Sequence, residues 1–302
     1  MQLNNMSFRF TVFTATFNRA HTLPRLYDSL KQQAFKDFEW LIVDDGSSDG
    51  TRDLISQWQA EGRIPIRYFF QENSGKHIAI NRGVTEAKSE LFLFTDSDDW
   101  LVPHALERLI FHWDGIEEAQ RKSVSGITFL CRYESGKVVG SRFHRNAIID
   151  DPVSFHITHR VHGDKKGFHR TEILKRYPFP DFPGEKFVPE GLVWNRIASD
   201  YQVCFVNEAL EVIEYQEDGL SAAGTSLRAR NPTGVRTYNL EFARRAIPLR
   251  YRAKAFINFF RFSAHGRVPV QVAFRDLGQF FPGLVFLPVG YLLYASDRFR
   301  LP

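Results

Sequence analysis

LFLFTDSDDWLVP, residues 91–103, runs four apolar side chains together before Thr95 and then crowds Asp96, Asp98 and Asp99 into four positions. A short unbroken apolar run marks a strand buried on both faces, as in a parallel sheet covered by helices. Ligands of such sheets bind beyond the carboxyl ends of the strands. If 91–94 is a strand, the three acids stand on a ligand rim, and other strands should end there too.

The text on either side has that organisation. FRFTVFTATF (8–17) is rich in β-branched and aromatic residues and reads as a strand. HTLPRLYDSLKQQ (21–33) puts Leu23, Leu26, Tyr27 and Leu30 on one helical face, with Thr22 placed as N-cap and Pro24 in the first turn. FEWLIVDD (38–45), IPIRYFF (64–70) and ELFLF (90–94) read as further strands. DGTRDLISQWQ (49–59), GKHIAINRGVTEAK (75–88) and HALERLIFHW (104–113) read as helices, the first capped by Asp49. Strand–helix repeats with short links imply a parallel sheet with helices on both faces. Further on, GITFLCRY (126–133) and KVVGSRF (137–143) read as neighbouring strands and HITHRVHGDKKGFHR (156–170) as a polar loop. TEILKRY (171–177) and EGLVWNRIAS (190–199) read as helices, the second with Leu192, Val193, Ile197 and Ala198 available for packing. QVCFVN (202–207) and LEVIEYQ (210–216) read as late strands.

Four strand ends are polar: TATFNR (14–19), DDGSSDG (44–50), QENSGK (71–76) and TDSDD (95–99). Gly75-Lys76 opens a helix, where free N–H groups, the dipole and an ammonium favour an anion such as phosphate. Hard cations such as Mg²⁺ and Mn²⁺ take oxygen ligands, and Mg²⁺ shares carboxylates with substrate phosphates. A cation with a ribose-diphosphate between Asp96 and Asp98 would relieve their crowding. A solvated acidic helix start, with Asp98 or Asp99 capping the helix after Pro103, reads the same residues without a ligand. Asp45, Ser47, Asp49 and Gly50 match the start of a calcium loop, but its twelfth position is Ser56 rather than Glu and a strand precedes it. Calcium is excluded.

Together these motifs resemble the family 2 glycosyltransferases, whose catalytic domain has the GT-A fold. The resemblance rests on TFNR (16–19), VDDGSSDGT (43–51), NSGKHIAINRG (73–83) and DSDDWLVP (96–103), in the family's order and spacing. It is dense over about the first 110 residues and thins toward residue 222. It implies an α/β, Rossmann-like, mostly parallel sheet, a catalytic domain over 1–224 and a basic, aromatic helical extension over 225–302. It also implies transfer of a single sugar from a nucleotide-diphospho-sugar, a UDP-sugar foremost, to a hydroxyl acceptor with inversion, in surface polysaccharide or glycolipid assembly. By that resemblance Ala15, Thr16, Phe17, Asn18, Arg19, Asp45, Lys76, Asp96 and Ser97 border the donor. Asp98 is then the direct ligand of Mn²⁺ or Mg²⁺, with Asp96 beside it. Phe17 replaces the family's common Tyr, which keeps a ring and loses a hydroxyl; it reads equally as core packing. The family's acidic pair, which supplies the general base, is here Glu190 followed by Gly191. Glu190 is the candidate and Glu185 the fallback. The missing acid leaves open a sugar-nucleotide-binding protein without transfer activity. A nucleotidyltransferase is the third class, although no Gly-rich loop follows the first strand.

Other features weigh less. His156, His159 and His162 recur at a metal-like spacing, and a polar acceptor-side loop accounts for them equally. Lys165, Lys166 and Arg170 meet an anionic acceptor or are solvated. Cys131 and Cys204 sit in apolar runs and read as core thiols. Composition is ordinary at 43% hydrophobic and 25% charged, and a net charge of +4 gives no reason to expect nucleic acid as a partner. From Leu227 onward Arg far outnumbers the acids Glu241, Asp276 and Asp297, and residues 277–296 carry no charge. Pro and Gly interrupt that stretch, so it reads as an element lying on an anionic membrane surface rather than a span. The N-terminal residues lack a leader's pattern. The expectation is a cytoplasmic protein, peripheral on the inner face of the membrane, acting on a carbohydrate or lipid-linked acceptor.

Overall fold

The computed structural model describes residues 8–216, 219 and 224–300. The chain forms two compact units. One comprises residues 1–178 and 196–215; the other comprises 179–195 and 216–302.

In the first unit, β1 (Phe10–Thr16), β2 (Phe38–Asp44), β3 (Ile66–Phe70) and β4 (Leu91–Phe94) are joined by α1 (Leu23–Lys31), α2 (Thr51–Glu61) and α3 (Lys76–Glu86). After β4 come β5 (Trp100–Leu101), α4 (Ala105–Asp114), β6 (Val124–Arg132), β7 (Ile148–Asp150), β8 (Lys165–Arg170) and β9 (Gln202–Val212). Among the described residues these strands make one sheet in the order β3-β2-β1-β4-β8-β6-β9-β5, with β7 on β9. The half that was legible as strand–helix repeats, β3-β2-β1-β4, is parallel. β8 enters antiparallel between β4 and β6.

The pleat sends alternate side chains to opposite faces. Phe10, Val12, Trp40 and Ile42 share one core with Leu26 and Leu30 of α1, Ile55 and Trp58 of α2, and Leu109 and Trp113 of α4. Tyr27 and Trp58 stack there at 4.4 Å, and Trp40 donates its indole N–H to Thr14 at 3.0 Å. Phe13, one residue off that register, faces α3. A Cβ on Gly83 would lie 2.2 Å from its ring, so the glycine lets helix and sheet close. Helices thus cover both faces, and the fold class is the one expected. Cys131 and Cys204 are free and buried.

Several local expectations fail for identifiable reasons. Residues 156–170 are not one loop. A helix, Pro152–Thr158, is capped by Asp151 through the Ser154 N–H, and β8 follows. KVVGSRF is no strand and contributes only a bridge from Val138 to Arg132. The two late strands are one, β9, kept continuous by register shifts against β6. Thr22 precedes α1 without a side-chain cap bond. Neither Asp98 nor Asp99 caps α4: the short β5 intervenes, and α4 begins at Ala105 after His104.

The second unit is helical apart from its linkers. Helices Pro232–Arg244, Leu249–His265 and Val270–Leu277, a 3₁₀ run Gly278–Phe286 and a helix Leu287–Arg300 follow one another. Leu240, Ala243, Phe256, Phe259, Phe260 and Leu277 form their core. Residues 179–195 pack with them. The Asn231 side chain accepts from the N–H groups of Lys186 (2.7 Å) and Phe187 (3.1 Å). The uncharged stretch 277–296 is thereby split between helix, 3₁₀ run and helix, and among the described residues no helix is long and apolar enough to cross a membrane.

Candidate functional site

The polar ends of β1, β2, β4 and the start of α3 meet on the carboxyl rim of the parallel half. Asn18, at φ 54°, turns the chain after β1; its N–H donates to Ser47 Oγ and its side chain accepts from the Ser48 N–H, both at 2.8 Å. Asp44 accepts from the Ser47 N–H and from the Tyr68 hydroxyl. Asp45, only 4% exposed, accepts from Gln71 Nε2 (2.8 Å), the Ser74 N–H (2.9 Å) and the Gly75 N–H (2.8 Å). A carboxylate has about four acceptor directions, so one remains for a ligand donor. Gly75 adopts φ 98°, a conformation that favours glycine, and this turn delivers Lys76 to the first position of α3.

Lys76 Nζ lies 2.7 Å from Asp96 Oδ1. The other Asp96 oxygen is held by Lys166 of β8. Asp45, Lys76 and Asp96 are therefore one connected set, through Gly75. Burial raises the Asp96 pKa, but the ammonium charges of Lys166 and Lys76 outweigh it and hold the carboxyl well below the usual range. Asp98 has no ion-pair partner among the described residues; burial and then the Asp96 charge push its pKa up. Asp99, raised to about 6 by burial, lies 2.9 Å from Lys166 Nζ. Ala15 and Thr16 end β1, and Ser97 is buried between the acids. Arg19 is near enough for its charge to lower the Asp98 pKa. Phe17 is 47% exposed, so its ring is not core packing.

Other candidates fall elsewhere. Glu190 belongs to the second unit and immediately precedes the helix Gly191–Ile197, its carbonyl accepting from Val193 and Trp194. Glu185 is committed to the start of Pro232–Arg244, accepting from the Thr233 (2.6 Å) and Gly234 (2.9 Å) N–H groups. Leu192, Val193, Ile197 and Ala198 are all buried. Lys165 donates to the Val139 and His162 carbonyls, and Arg170 pairs with Glu172, so neither is simply solvated. His156 faces the Pro152 carbonyl and His159 stacks on His144. Among the described residues no three His, Cys, Asp or Glu side chains converge as a metal site.

Two residues of the cluster were not singled out from the sequence as site residues. Lys166 appeared only with Lys165 and Arg170 as a group meeting an anionic acceptor or solvent, and Glu211, wholly buried on β9, lies 3.7 Å from its ammonium. The donor set suits a divalent cation through Asp98, a half-buried acid crowded by Asp96. Both Asp96 oxygens already face ammonium groups. One protein carboxylate plus diphosphate oxygens is an ordinary Mg²⁺ environment.

Residues 11–173, more than half of the chain, match Glycosyl transferase family 2. A Campylobacter jejuni GalNAc(5)-diNAcBac-PP-undecaprenol beta-1,3-glucosyltransferase is 35% identical over 104 residues, 34% of this chain and 33% of that protein. The chain spans about a third of the length of the curated relatives it matches. A fragment of S. aureus TarS in complex with UDP-GlcNAc superposes with a TM-score of 0.64 at 18% identity, over 91% of this chain and 81% of that one. A mannosyltransferase from Pyrobaculum calidifontis in complex with GDP-Man and Mn²⁺ gives 0.58 at 18% identity, over 97% and 87%. At these identities the structural likeness is one of fold, and that fold is GT-A. With its rim motifs inside the matched segment, the chain belongs to glycosyl transferase family 2.

Proposed function

We propose that this glycosyltransferase moves a single sugar from a nucleotide-diphospho-sugar, a UDP-sugar foremost, to a hydroxyl of a glycan or lipid-linked acceptor, with inversion, in surface polysaccharide or glycolipid assembly. The observation that carries the donor half is the connected set Asp45–Gly75–Lys76–Asp96 on the sheet rim. The Phe17 ring stacks on the base, Asp45 accepts from it with its remaining lone pair, and Asp96, held by Lys76 and Lys166, faces the ribose. Ala15, Thr16, Asn18, Arg19 and Ser97 border the nucleotide. Lys76, at the start of α3, adds its ammonium to the helix dipole for the diphosphate. A divalent cation, Mn²⁺ or Mg²⁺, held by Asp98 with Asp96 beside it and by the diphosphate, would neutralise charge on the leaving group. Glu190 takes the proton of the acceptor hydroxyl as general base; with Glu185 tied to a helix start, it is the better of the two acids.

The same reading places the enzyme on a membrane surface. In Leu287–Arg300, Gly290, Tyr294 and Asp297 face inward: Gly290 meets Phe260, Tyr294 meets His265, and Asp297 pairs with Arg261. Val285, Val289, Leu292 and Phe299 recur on the opposite side, with Leu292 70% and Phe299 91% exposed, next to exposed Arg298 and Arg300. An apolar stripe edged by arginines fits an anionic lipid interface.

The test is a melting-temperature series with UDP, GDP, ADP, CDP and TDP, each with Mn²⁺ or a chelator. UDP with Mn²⁺ should give the largest rise, since ligand binding stabilises by mass action. Asp98→Asn should keep the fold, lose the metal-dependent part of the rise and lose transfer. Equal shifts with and without metal, or full activity of Asp98→Asn, would refute the metal assignment.

A further inference from the structure

Lys166 is left over by the donor-site reading. β8 is paired on both edges, Leu93 of β4 against Phe168 and Phe129 of β6 against Lys166. The ammonium reaches Asp96 Oδ2, Asp99 Oδ2 at 2.9 Å and Glu211 Oε1 at 3.7 Å. Its side chain is only 16% exposed, and that of Glu211 is 0% exposed. Neither Glu211 oxygen has a donor in hydrogen-bond reach of its ionised form; burial pushes its pKa well up, and Asp99 is its side-chain partner when one of the two acids is protonated. Cys131, the register partner of Glu211, offers no charge, and burial pushes its thiol pKa well up.

A carboxylate buried this way is expensive unless a cation compensates it. The sequence supplies that cation from a different strand, between three acids. An ammonium has three donors, and beside the buried Glu211 and Asp99 this one grips the Asp96 carboxylate at the rim, on the oxygen that Lys76 does not use.

Building on the donor-site reading above, we propose that Lys166 is a built-in cation of that site. It is a positioning residue that fixes Asp96 and offsets part of the charge of the Asp96–Asp99–Glu211 cluster, so that a divalent cation enters only at Asp98 together with a diphosphate. With Lys166 present, the acids have little left to offer a free metal ion. Without it, Asp96, Asp98, Asp99 and Glu211 keep only Lys76 and the nearby charge of Arg19 among the described residues, and a hard cation with oxygen preference becomes the natural replacement. Lys166 thus makes metal uptake depend on the nucleotide.

The experiment uses full-length protein and Mn²⁺ alone, free Mn²⁺ being followed by electron paramagnetic resonance, with melting temperature as a second readout. Wild type and Lys166→Arg should bind Mn²⁺ weakly, and their melting temperature should barely respond. Lys166→Met should melt lower, bind Mn²⁺ about ten-fold tighter or more as ligand charge count rises, and regain several degrees on Mn²⁺ addition. Lys166→Met combined with Glu211→Gln removes the buried acid and should still bind Mn²⁺ more tightly than wild type, though less tightly than the single variant, which keeps the proposal testable if the single variant does not fold. Unchanged Mn²⁺ affinity in the folded variant overturns the proposal. So does failure of both variants to melt cooperatively with Mn²⁺ in excess, because Lys166 would then be a fold-holding cation only. No nucleotide enters these titrations. A wild type that ignores every nucleoside diphosphate counts against the donor site, and the Mn²⁺ arm judges Lys166.

Discussion

Asp45→Asn separates a loop tie from a base reader. The carboxylate accepts from Gln71 Nε2 and the Ser74 N–H on one oxygen and from the Gly75 N–H on the other. Asparagine keeps one acceptor oxygen. If that oxygen retains Gln71 and Ser74, the new NH₂ points at the Gly75 N–H, donor against donor. Flipping the amide strands Ser74 instead, although Gln71 can then turn its own carbonyl toward the NH₂. One backbone N–H beside a 4% exposed side chain loses an ionic acceptor either way. A hydrogen bond to a charged group is worth roughly 1.5–3 kcal/mol and an orphaned buried donor adds to the loss, so about 2–4 kcal/mol should go. For a chain of this size each kcal/mol lowers the melting temperature by about 2–4 °C, which predicts a fall of roughly 4–16 °C. Urea unfolding at constant slope measures the same loss as a lower midpoint. Because Gly75 delivers Lys76 to Asp96, UDP affinity should fall with it. A variant within about 0.5 kcal/mol of wild type would refute the reasoning, since that is the range of an inconsequential surface change. Weaker UDP binding with unchanged stability would leave Asp45 as a base reader and nothing more.

Glu190→Gln should lower turnover roughly a hundred-fold or more, the usual worth of a positioned general base, while UDP binding stays near normal; near-normal turnover would remove Glu190 from the role. Leu292→Glu with Phe299→Glu should leave the melting temperature nearly unchanged, because both side chains are already exposed, and should abolish flotation with vesicles containing anionic lipid. Wild-type flotation should weaken only partly in high salt, since salt screens the arginines and not the apolar stripe. Wild-type protein that ignores such vesicles would leave the stripe without a lipid role.

What was legible from the sequence follows the range of the forces involved. The parallel half announces itself because each strand is a continuous apolar run and each helix shows its face within a dozen residues. The rim loops are legible as motifs because their turn residues act locally, but the ties between them, Asn18 to Ser47 and Asp45 to Gly75, join motifs 29 and 30 positions apart and were not read from the sequence. The mixed half is harder. β8 reads KKGFHR, with no apolar run, because its burial comes from being flanked by β4 and β6 rather than from its own composition. β5 has two residues and β7 three, too short for any period to show. Asp99 was read as a possible cap because a proline and a helix follow it, but its carboxylate turns to an ammonium 67 positions further along the chain, from 99 to 166.

That ammonium marks where reading along the chain stops being enough. The crowding of Asp96, Asp98 and Asp99 is visible in four residues, and so is the need for a cation. Nothing nearby in the sequence says that the protein supplies part of that cation itself. The register does. Leu93 lies opposite Phe168 at the end of an antiparallel ladder, and the same register carried two residues past that end would bring Thr95 level with Lys166, with Asp96 the next residue. Phe129 lies opposite Lys166 on the other edge, and two residues on Cys131 lies opposite Glu211, which brings the fourth acid to the same place. The repulsion that made the motif look like an external metal site is therefore partly met from within. A cation at Asp98 then has only the remaining charge to answer, together with the charge its nucleotide carries in.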